Sequence, residues 1–396
     1  DNSTTATFSA ITTAGMFLGA LVGGIIGDKT GRRNAFILYE AIHIASMVVG
    51  AFSPNMDFLI ACRFVMGVGL GALLVTLFAG FTEYMPGRNR GTWSSRVSFI
   101  GNWSYPLCSL IAMGLTPLIS AEWNWRVQLL IPAILSLIAT ALAWRYFPES
   151  PRWLESRGRY QEAEKVMRSI EEGVIRQTGK PLPPVVIADD GKAPQAVPYS
   201  ALLTGVLLKR VILGSCVLIA MNVVQYTLIN WLPTIFMTQG INLKDSIVLN
   251  TMSMFGAPFG IFIAMLVMDK IPRKTMGVGL LILIAVLGYI YSLQTSMLLI
   301  TLIGFFLITF VYMYVCYASA VYVPEIWPTE AKLRGSGLAN AVGRISGIAA
   351  PYAVAVLLSS YGVTGVFILL GAVSIVVAIA IATIGIETKG VSVESL

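Results

Sequence analysis

Charge is scarce in this chain. Asp, Glu, Lys and Arg together make up 12% of its 396 residues, about half the share usual in soluble proteins, while hydrophobic residues reach 56%. A water-soluble globule cannot hide that much apolar surface, so lipid-facing helices joined by aqueous loops are expected instead. Histidine is nearly missing, with His43 the single example. Cysteine is sparse too: Cys62, Cys108, Cys216 and Cys316 each fall inside an apolar stretch, with no CxxC spacing and no histidine cluster. Neither a metal site nor a disulfide framework is expected from them, and they read as small packing residues. A nucleophile–base arrangement and a phosphate-binding Walker loop are also lacking, so the sequence offers nothing for an enzyme or an ATP-driven pump, and no cofactor is implied. Glycine, by contrast, is plentiful, with 37 residues, as suits helices that pack closely in lipid.

Eleven apolar runs are long enough to cross a bilayer. They cover about 5–27, 34–52, 57–82, 93–119, 127–147, 211–236, 247–268, 276–293, 297–323, 337–359 and 363–385. The basic residues orient them. Lys29, Arg32, Arg33, Arg88, Arg90, Lys270, Arg273, Lys274, Lys332 and Arg334 fall in loops on one side, as does the long connection holding Arg145 through Arg210. That side is cytoplasmic by the positive-inside rule, and the net charge of +7 reads as a topology signal rather than a nucleic-acid footprint. Lys244 and Arg126 are the exceptions on the opposite face.

This predicts an N-terminal bundle over 1–147, a cytoplasmic linker over 148–210 and a C-terminal bundle over 211–396. In the linker, Ala163, Val166, Met167 and Ile170 recur at helical spacing, and Glu164 can pair with Arg168. Five prolines then follow between Pro181 and Pro198. A tether between halves is the reading; a regulatory domain would need more apolar content.

The two bundles repeat one another at an offset of about 241 residues. Gly15, Gly19 and Asp28 recur as Gly256, Gly260 and Asp269. Gly31-Arg32-Arg33 recurs as Pro272-Arg273-Lys274, and Glu83-x-x-Pro86 as Glu325-x-x-Pro328. An Arg-Gly pair follows each, Arg90-Gly91 and Arg334-Gly335. Parallel repeats of this kind are expected in a two-bundle transporter. The span at 211–236 has no counterpart in the first half, and residue 1 is Asp rather than Met. A twelve-span parent is therefore expected, with its first span absent from this chain.

The motifs carry a resemblance. Gly24-Ile-Ile-Gly-Asp28-Lys29-Thr-Gly31-Arg32-Arg33 resembles the signature loop of the major facilitator superfamily. Arg63-x-x-x-Gly67-x-Gly69-x-Gly71, Trp125-Arg126, the run from Pro148 through Trp153 (Pro-Glu-Ser-Pro-Arg-Trp), Pro324-Glu325-Ile-Trp-Pro328-Thr329 and Glu387-Thr-Lys-Gly390 follow. Together they resemble the sugar porter family over essentially the whole chain. The resemblance implies an all-α membrane protein of two six-helix bundles, in a bacterial inner membrane, that works by alternating access. It is expected to be monomeric, to carry a small molecule and to use protons. Where sugar porters often carry paired glutamines, this chain reads Asn222-Val-Val-Gln225-Tyr226. Where they place a tryptophan near the sugar, it reads Tyr312-Met-Tyr314-Val-Cys-Tyr317. Ile386 stands where proline is usual. The substrate therefore stays open between a sugar, polyol or sugar acid and an organic ion. A non-transporting sensor would call for a long cytoplasmic extension.

Three sets of residues are predicted to act. Asn222, Gln225, Tyr226 and Asn230 share one helix face, where amides and a hydroxyl both donate to and accept from substrate hydroxyls. Tyr314 and Tyr317 could stack on a ring, and Ser98 and Asn102 add a polar strip; ordinary packing is the alternative for the tyrosines. For coupling, Arg63 is a charge inside a span, costly unless functional or paired. Glu40 and His43 lie one turn apart on the preceding span, and Arg344 is a further cation. In proton-coupled sugar porters the arginine matching Arg63 faces an acid on the first span, which is not in this chain. For gating, Asp28, Arg32, Glu83, Arg90, Glu149 and Arg152 are expected to pair with Asp269, Arg273, Glu325, Arg334 and Glu387 of the other half. Finally, Gly15, Gly19, Gly23 and Gly27 fall on one helix face and predict close packing, with Gly256 and Gly260, and Gly343 and Gly347, acting likewise.

Overall fold

The computed structural model describes residues 2–84, 90–182, 198–268, 270–328 and 331–388, with side chains at 78–84, 90–95, 199 and 332–333 outside that description. The described chain is helical with no strand. In order come α1 (Asn2–Thr30), α2 (Arg32–Ala51), α3 (Met56–Tyr84), α4 (Arg90–Asn102), α5 (Ser104–Leu115) and α6 (Ala121–Tyr146). Then follow α7 (Pro151–Ser156), α8 (Tyr160–Thr178), α9 (Tyr199–Leu202), α10 (Gly205–Thr238), α11 (Leu243–Met254), α12 (Gly256–Val267) and α13 (Arg273–Ser292). The chain closes with α14 (Met297–Cys316), a π-helical turn (Tyr317–Tyr322), α15 (Val323–Glu325) and α16 (Lys332–Ile384). Each of the eleven predicted spans coincides with helix. Three differ in detail. The run at 93–119 breaks at Trp103 and that at 247–268 at Phe255, while the last two spans join in α16 across Gly362, whose φ of 65° turns the chain.

Apolar side chains face outwards where a soluble protein would bury them. On α6, Ile134, Leu135, Leu137, Ile138 and Leu142 are each more than half exposed, a surface only lipid covers without cost. In the linker, Arg168 pairs with Glu164 at 2.6 Å, as predicted.

Helix packing groups the chain into two compact units. One comprises Asp1–Ala10, Thr92–Asn124 and Pro194–Leu396, the other Ile11–Gly91 and Trp125–Ala193. This differs from the division at 147 and 210 that the repeat suggests, because α4 and α5 pack with the later helices. Phe99 meets Phe262 at 6.0 Å, and the Asn250 amide donates to the Ser109 hydroxyl at 3.3 Å.

Within the second unit, α1 lies directly on the backbone of α3. A Cβ at Gly15 would stand 2.3 Å from the Phe64 carbonyl oxygen, and one at Gly19 only 2.0 Å from that of Val68. At Gly23 it would meet the Ala72 Cα at 2.5 Å. The contact is reciprocal, since a Cβ at Gly71 would meet the Met16 oxygen at 2.1 Å. In the first unit the same offset recurs. Gly256 faces the Phe305 oxygen at 2.5 Å and Gly260 that of Thr309 at 2.3 Å. Lipid tails are as apolar as leucine, so dispersion at this short range, not water exclusion, holds such pairs together.

The ladder separates two neighbouring glycines. A methyl at Gly19 must push two backbones apart, whereas one at Gly24 finds only Val75 Cγ1 at 4.0 Å. Gly19→Ala should therefore lower stability by about 1–3 kcal/mol, and Gly24→Ala should be close to neutral. Thermal unfolding of the two purified variants checks the contrast; equal behaviour would contradict the ladder.

Candidate functional site

Two charge clusters organise the loops at corresponding places in the repeat. Helix α2 starts at Gly31 and α13 at Pro272, and neither residue offers a side-chain cap. The first amides of a helix are left without internal partners. A distant carboxylate fills the gap in each case. Glu149 Oε1 accepts from the Arg32 amide at 2.7 Å and the Arg33 amide at 3.3 Å. Glu387 Oε1 accepts from the Arg273 amide at 2.8 Å and its Oε2 from the Lys274 amide at 3.1 Å. The negative charge also sits at the positive end of the helix dipole. Gly31 is needed twice over: its φ is 93°, and a Cβ there would fall 2.2 Å from Glu149 Oε2.

The motif around Glu149 is thus three devices in a row. Glu149 caps α2, Ser150 caps α7 by accepting from the Trp153 amide at 3.3 Å, and Pro151 opens that helix. Trp153 Nε1 and Arg157 then donate to the Asp28 carbonyl oxygen at 2.7 and 2.6 Å.

The side chains pair within each half. Arg32 bonds Asp28 at 2.7 Å. Arg273 holds Glu325 with Nε to Oε2 at 3.0 Å and Nη2 to Oε1 at 3.2 Å, and the Thr388 hydroxyl donates to the same Oε2 at 2.6 Å. The sequence suggested partners drawn from opposite halves; the contacts described here are local, because the helix starts and their own closing segments lie nearest. Arg152 is exposed and Arg334 half-buried. Asp269 and the side chains of Glu83 and Arg90 lie outside the described residues. Gly335 gives its own reason: a Cβ there would meet the Trp327 ring at 2.4 Å.

Among the predicted substrate residues, Asn222 is buried, its amide donating to the Leu218 oxygen at 2.7 Å. Gln225, Tyr226 and Asn230 are half-buried on α10, and Ser98 and Asn102 on α4, where Asn102 donates to the Ser98 oxygen at 2.7 Å. Tyr314 and Tyr317 are sealed into the core of their unit. Tyr314 donates to the Val217 oxygen at 3.1 Å, and the Tyr317 hydroxyl lies where a Cβ on Gly277 would sit. The two tyrosines do share a face, their rings 5.7 Å apart, but that face is turned into the core. Tyr312, on the same helix, has other neighbours. Its ring meets Tyr105 at 5.2 Å, and its buried hydroxyl lies beside Gln225, Tyr105 and Tyr226. Tyr105 continues the helical stripe of Ser98 and Asn102, a signal present in the sequence. Arg344 completes the group, its charge reaching the Tyr226 hydroxyl.

A second cluster lies in the other unit. His43 Nδ1 stands 3.9 Å from Glu40 Oε2, both atoms buried, and the charge of Arg63 reaches His43 from α3.

Removing a cap should cost more than removing an exposed pair. Glu149→Ala and Glu387→Ala should each lose about 1.5–3 kcal/mol, with the glutamine variants keeping part of it. Changing the fully exposed Arg159–Glu162 pair should leave the unfolding temperature unmoved. A thermal series of these variants reads the difference.

Comparison with known proteins agrees with this anatomy. The sequence model of the family described as "Sugar (and other) transporter" matches residues 1–396. The inner membrane metabolite transport protein YdjE of Escherichia coli (strain K12) is 44% identical over 398 residues, covering 100% of this chain and 87% of its own. The niacin transporter NiaP of Acinetobacter baylyi is 27% identical, covering 96% and 85%. The xylose transporter XylE of E. coli, in a partially occluded inward-open structure, superposes with a TM-score of 0.78 at 18% identity, over 99% of this chain and 89% of that one. With its signature loops, its repeated glycine ladder and a full-length family match, this multi-pass membrane protein belongs to the family described as "Sugar (and other) transporter".

Proposed function

We propose that the protein is a secondary active transporter of the inner membrane. It carries a small ring-bearing metabolite, of the sugar, polyol or sugar-acid kind, by alternating access coupled to protons. The supporting observation is the group of Gln225, Tyr226, Tyr312 and Tyr105. The buried Tyr312 hydroxyl stands beside a half-buried amide and two aromatic rings, the equipment that binds a polar ring. Printed names of relatives range over xylose, niacin and unspecified metabolites, which suits a common scaffold with a variable site. The proton role is assigned to Arg63 with Glu40 and His43. Ionisable groups within a membrane span are functional by default, and histidine changes charge near neutral pH.

Uptake into proteoliposomes decides the reading. Gln225→Ala should weaken uptake of the transported compound about tenfold or more without loss of folded protein; full uptake by that variant removes Gln225 from the site. An imposed pH gradient should drive uphill accumulation, and Arg63→Ala should leave only downhill exchange. Accumulation that ignores both the gradient and a protonophore would end the proton assignment.

A further inference from the structure

Helix α16 ends at Ile384, where Gly385 breaks it with an extended backbone, φ −62° and ψ 148°. Each of the next three residues is then held by a different partner. The Ile386 N–H donates to the Tyr322 hydroxyl at 3.0 Å, and that hydroxyl donates to the Ile386 oxygen at 3.1 Å. Glu387 accepts from the first amides of α13, and the Thr388 hydroxyl donates to Glu325 at 2.6 Å. One side-chain oxygen thus serves both the N–H and the C=O of Ile386, as a neighbouring strand does in a ladder.

Tyr322 is itself the end of a buried column. Its ring stacks on Tyr317 with centroids 5.0 Å apart and planes 15° from parallel, and Tyr317 leans on Tyr314 at 5.7 Å. The Tyr314 hydroxyl closes the column by donating to the Val217 oxygen of α10 at 3.1 Å. All three side chains are buried. Tyr317 and Tyr322 bound the π-helical turn. Residues five apart stand about 140° apart around an α-helix, whereas i→i+5 winding brings them to one side. Gly277 of α13 leaves the column its room, since a Cβ there would stand 2.4 Å from the Tyr317 hydroxyl oxygen. Contacts therefore run without a gap from Ile386, past the flank of α13, to α10.

We propose that the Tyr322 hydroxyl is the pin that sets the register of residues 385–388, which makes Tyr322 a positioning residue for the charge cluster around Arg273 and, through the tyrosine column, for α10. Successive side chains of an extended stretch point to opposite sides, so a slip of one residue would carry Glu387 away from the amides it caps. With Ile386 gripped at both its N–H and its C=O, that slip is blocked. Thr388 then stays on Glu325, which Arg273 also holds. Tyr322 touches no residue of the proposed substrate site; it acts on where α10, the helix bearing Gln225, stands relative to the loop charges. The effect on transport rests on the transport reading above, whereas the pin itself does not.

Amide hydrogen exchange on the purified full chain tests the pin. Tyr322→Phe keeps the ring stack and deletes both bonds to Ile386. Ile386→Pro deletes the N–H alone, and Gly385 already has the backbone that precedes a proline. Tyr322→Phe should speed exchange at the Arg273 and Lys274 amides, which it does not touch, by about tenfold or more, and leave α6 in the other unit unchanged. Ile386→Pro should speed the same amides less, and add nothing to Tyr322→Phe, because the bond it removes is already gone. In proteoliposomes Tyr322→Phe should lower the maximal uptake rate per folded molecule about threefold or more, with thermal stabilisation by the transported compound unaltered. Unchanged protection at Arg273 and Lys274 in a folded Tyr322→Phe variant, or additive effects of the two changes, would overturn the pin. Should Tyr322→Phe fail to fold, unchanged protection in Ile386→Pro would do the same. Loosened amides with an unchanged uptake rate would overturn the positioning of α10. No saturable uptake by the unaltered protein would overturn the transport reading, while the exchange rates would still judge the pin.

Discussion

Direct contact between helix backbones is the constraint from which the remaining geometry follows. In lipid there is no gain from hiding one apolar helix against another, so helices hold each other by close approach. The glycines of α1 and the turn at Gly256 and Gly260 permit that approach, to the carbonyls of α3 and α14. Side chains of the proposed sites hang from these same rails. Arg63 immediately precedes Phe64, whose carbonyl faces Gly15, and Tyr312 follows Thr309, whose carbonyl faces Gly260, by one turn. A shift in the ladder would therefore move Arg63 in one half and Tyr312 in the other.

The scaffold is duplicated but the chemistry is not. Gly15 and Gly256, Phe64 and Phe305, and Glu149 and Glu387 perform matching tasks. Yet the position 241 residues before Arg344 is Trp103, and the position 241 after Arg63 is Gly304. Packing and capping are needed in each half and stay symmetric. Arg63 and Arg344, both half-buried within spans, have no copies at the repeat offset.

Much of this was legible in the residues. Four-residue glycine spacing and the repeat are local patterns, and they foretell the helical spans and the close-packed faces. The acceptors of those contacts were hidden. Phe64 and Val68 take part through carbonyl oxygens, which every residue has, so nothing in their side chains marks them. Glu149 and Glu387 look like members of a side-chain charge network, yet they bind backbone amides, because Gly31 and Pro272 cannot cap their own helices. Of the proposed site, some members were visible in the sequence. Gln225 and Tyr226 follow from α-helical facing, and Tyr105 continues the stripe of Ser98 and Asn102. Tyr314 and Tyr317 share a face as their spacing says, but that face is turned into the core, which spacing alone does not reveal.

The two kinds of contact made by the loop carboxylates differ in how they feel dissolved ions. Asp28 meets Arg32 with its side chain 71% exposed, so mobile counterions reach both partners and screen them within about 8 Å at physiological ionic strength. The Arg273 side chain is 7% exposed and its partner Glu325 32%, which admits fewer ions. Glu149 and Glu387 go further: their partners are neutral N–H groups at a helix end, an attraction built from short dipoles instead of paired charges. As salt rises, the exposed pair loosens first and the backbone caps last. The loops of each half would stay pinned to their helices in brine that has already dissolved the more conspicuous ion pair.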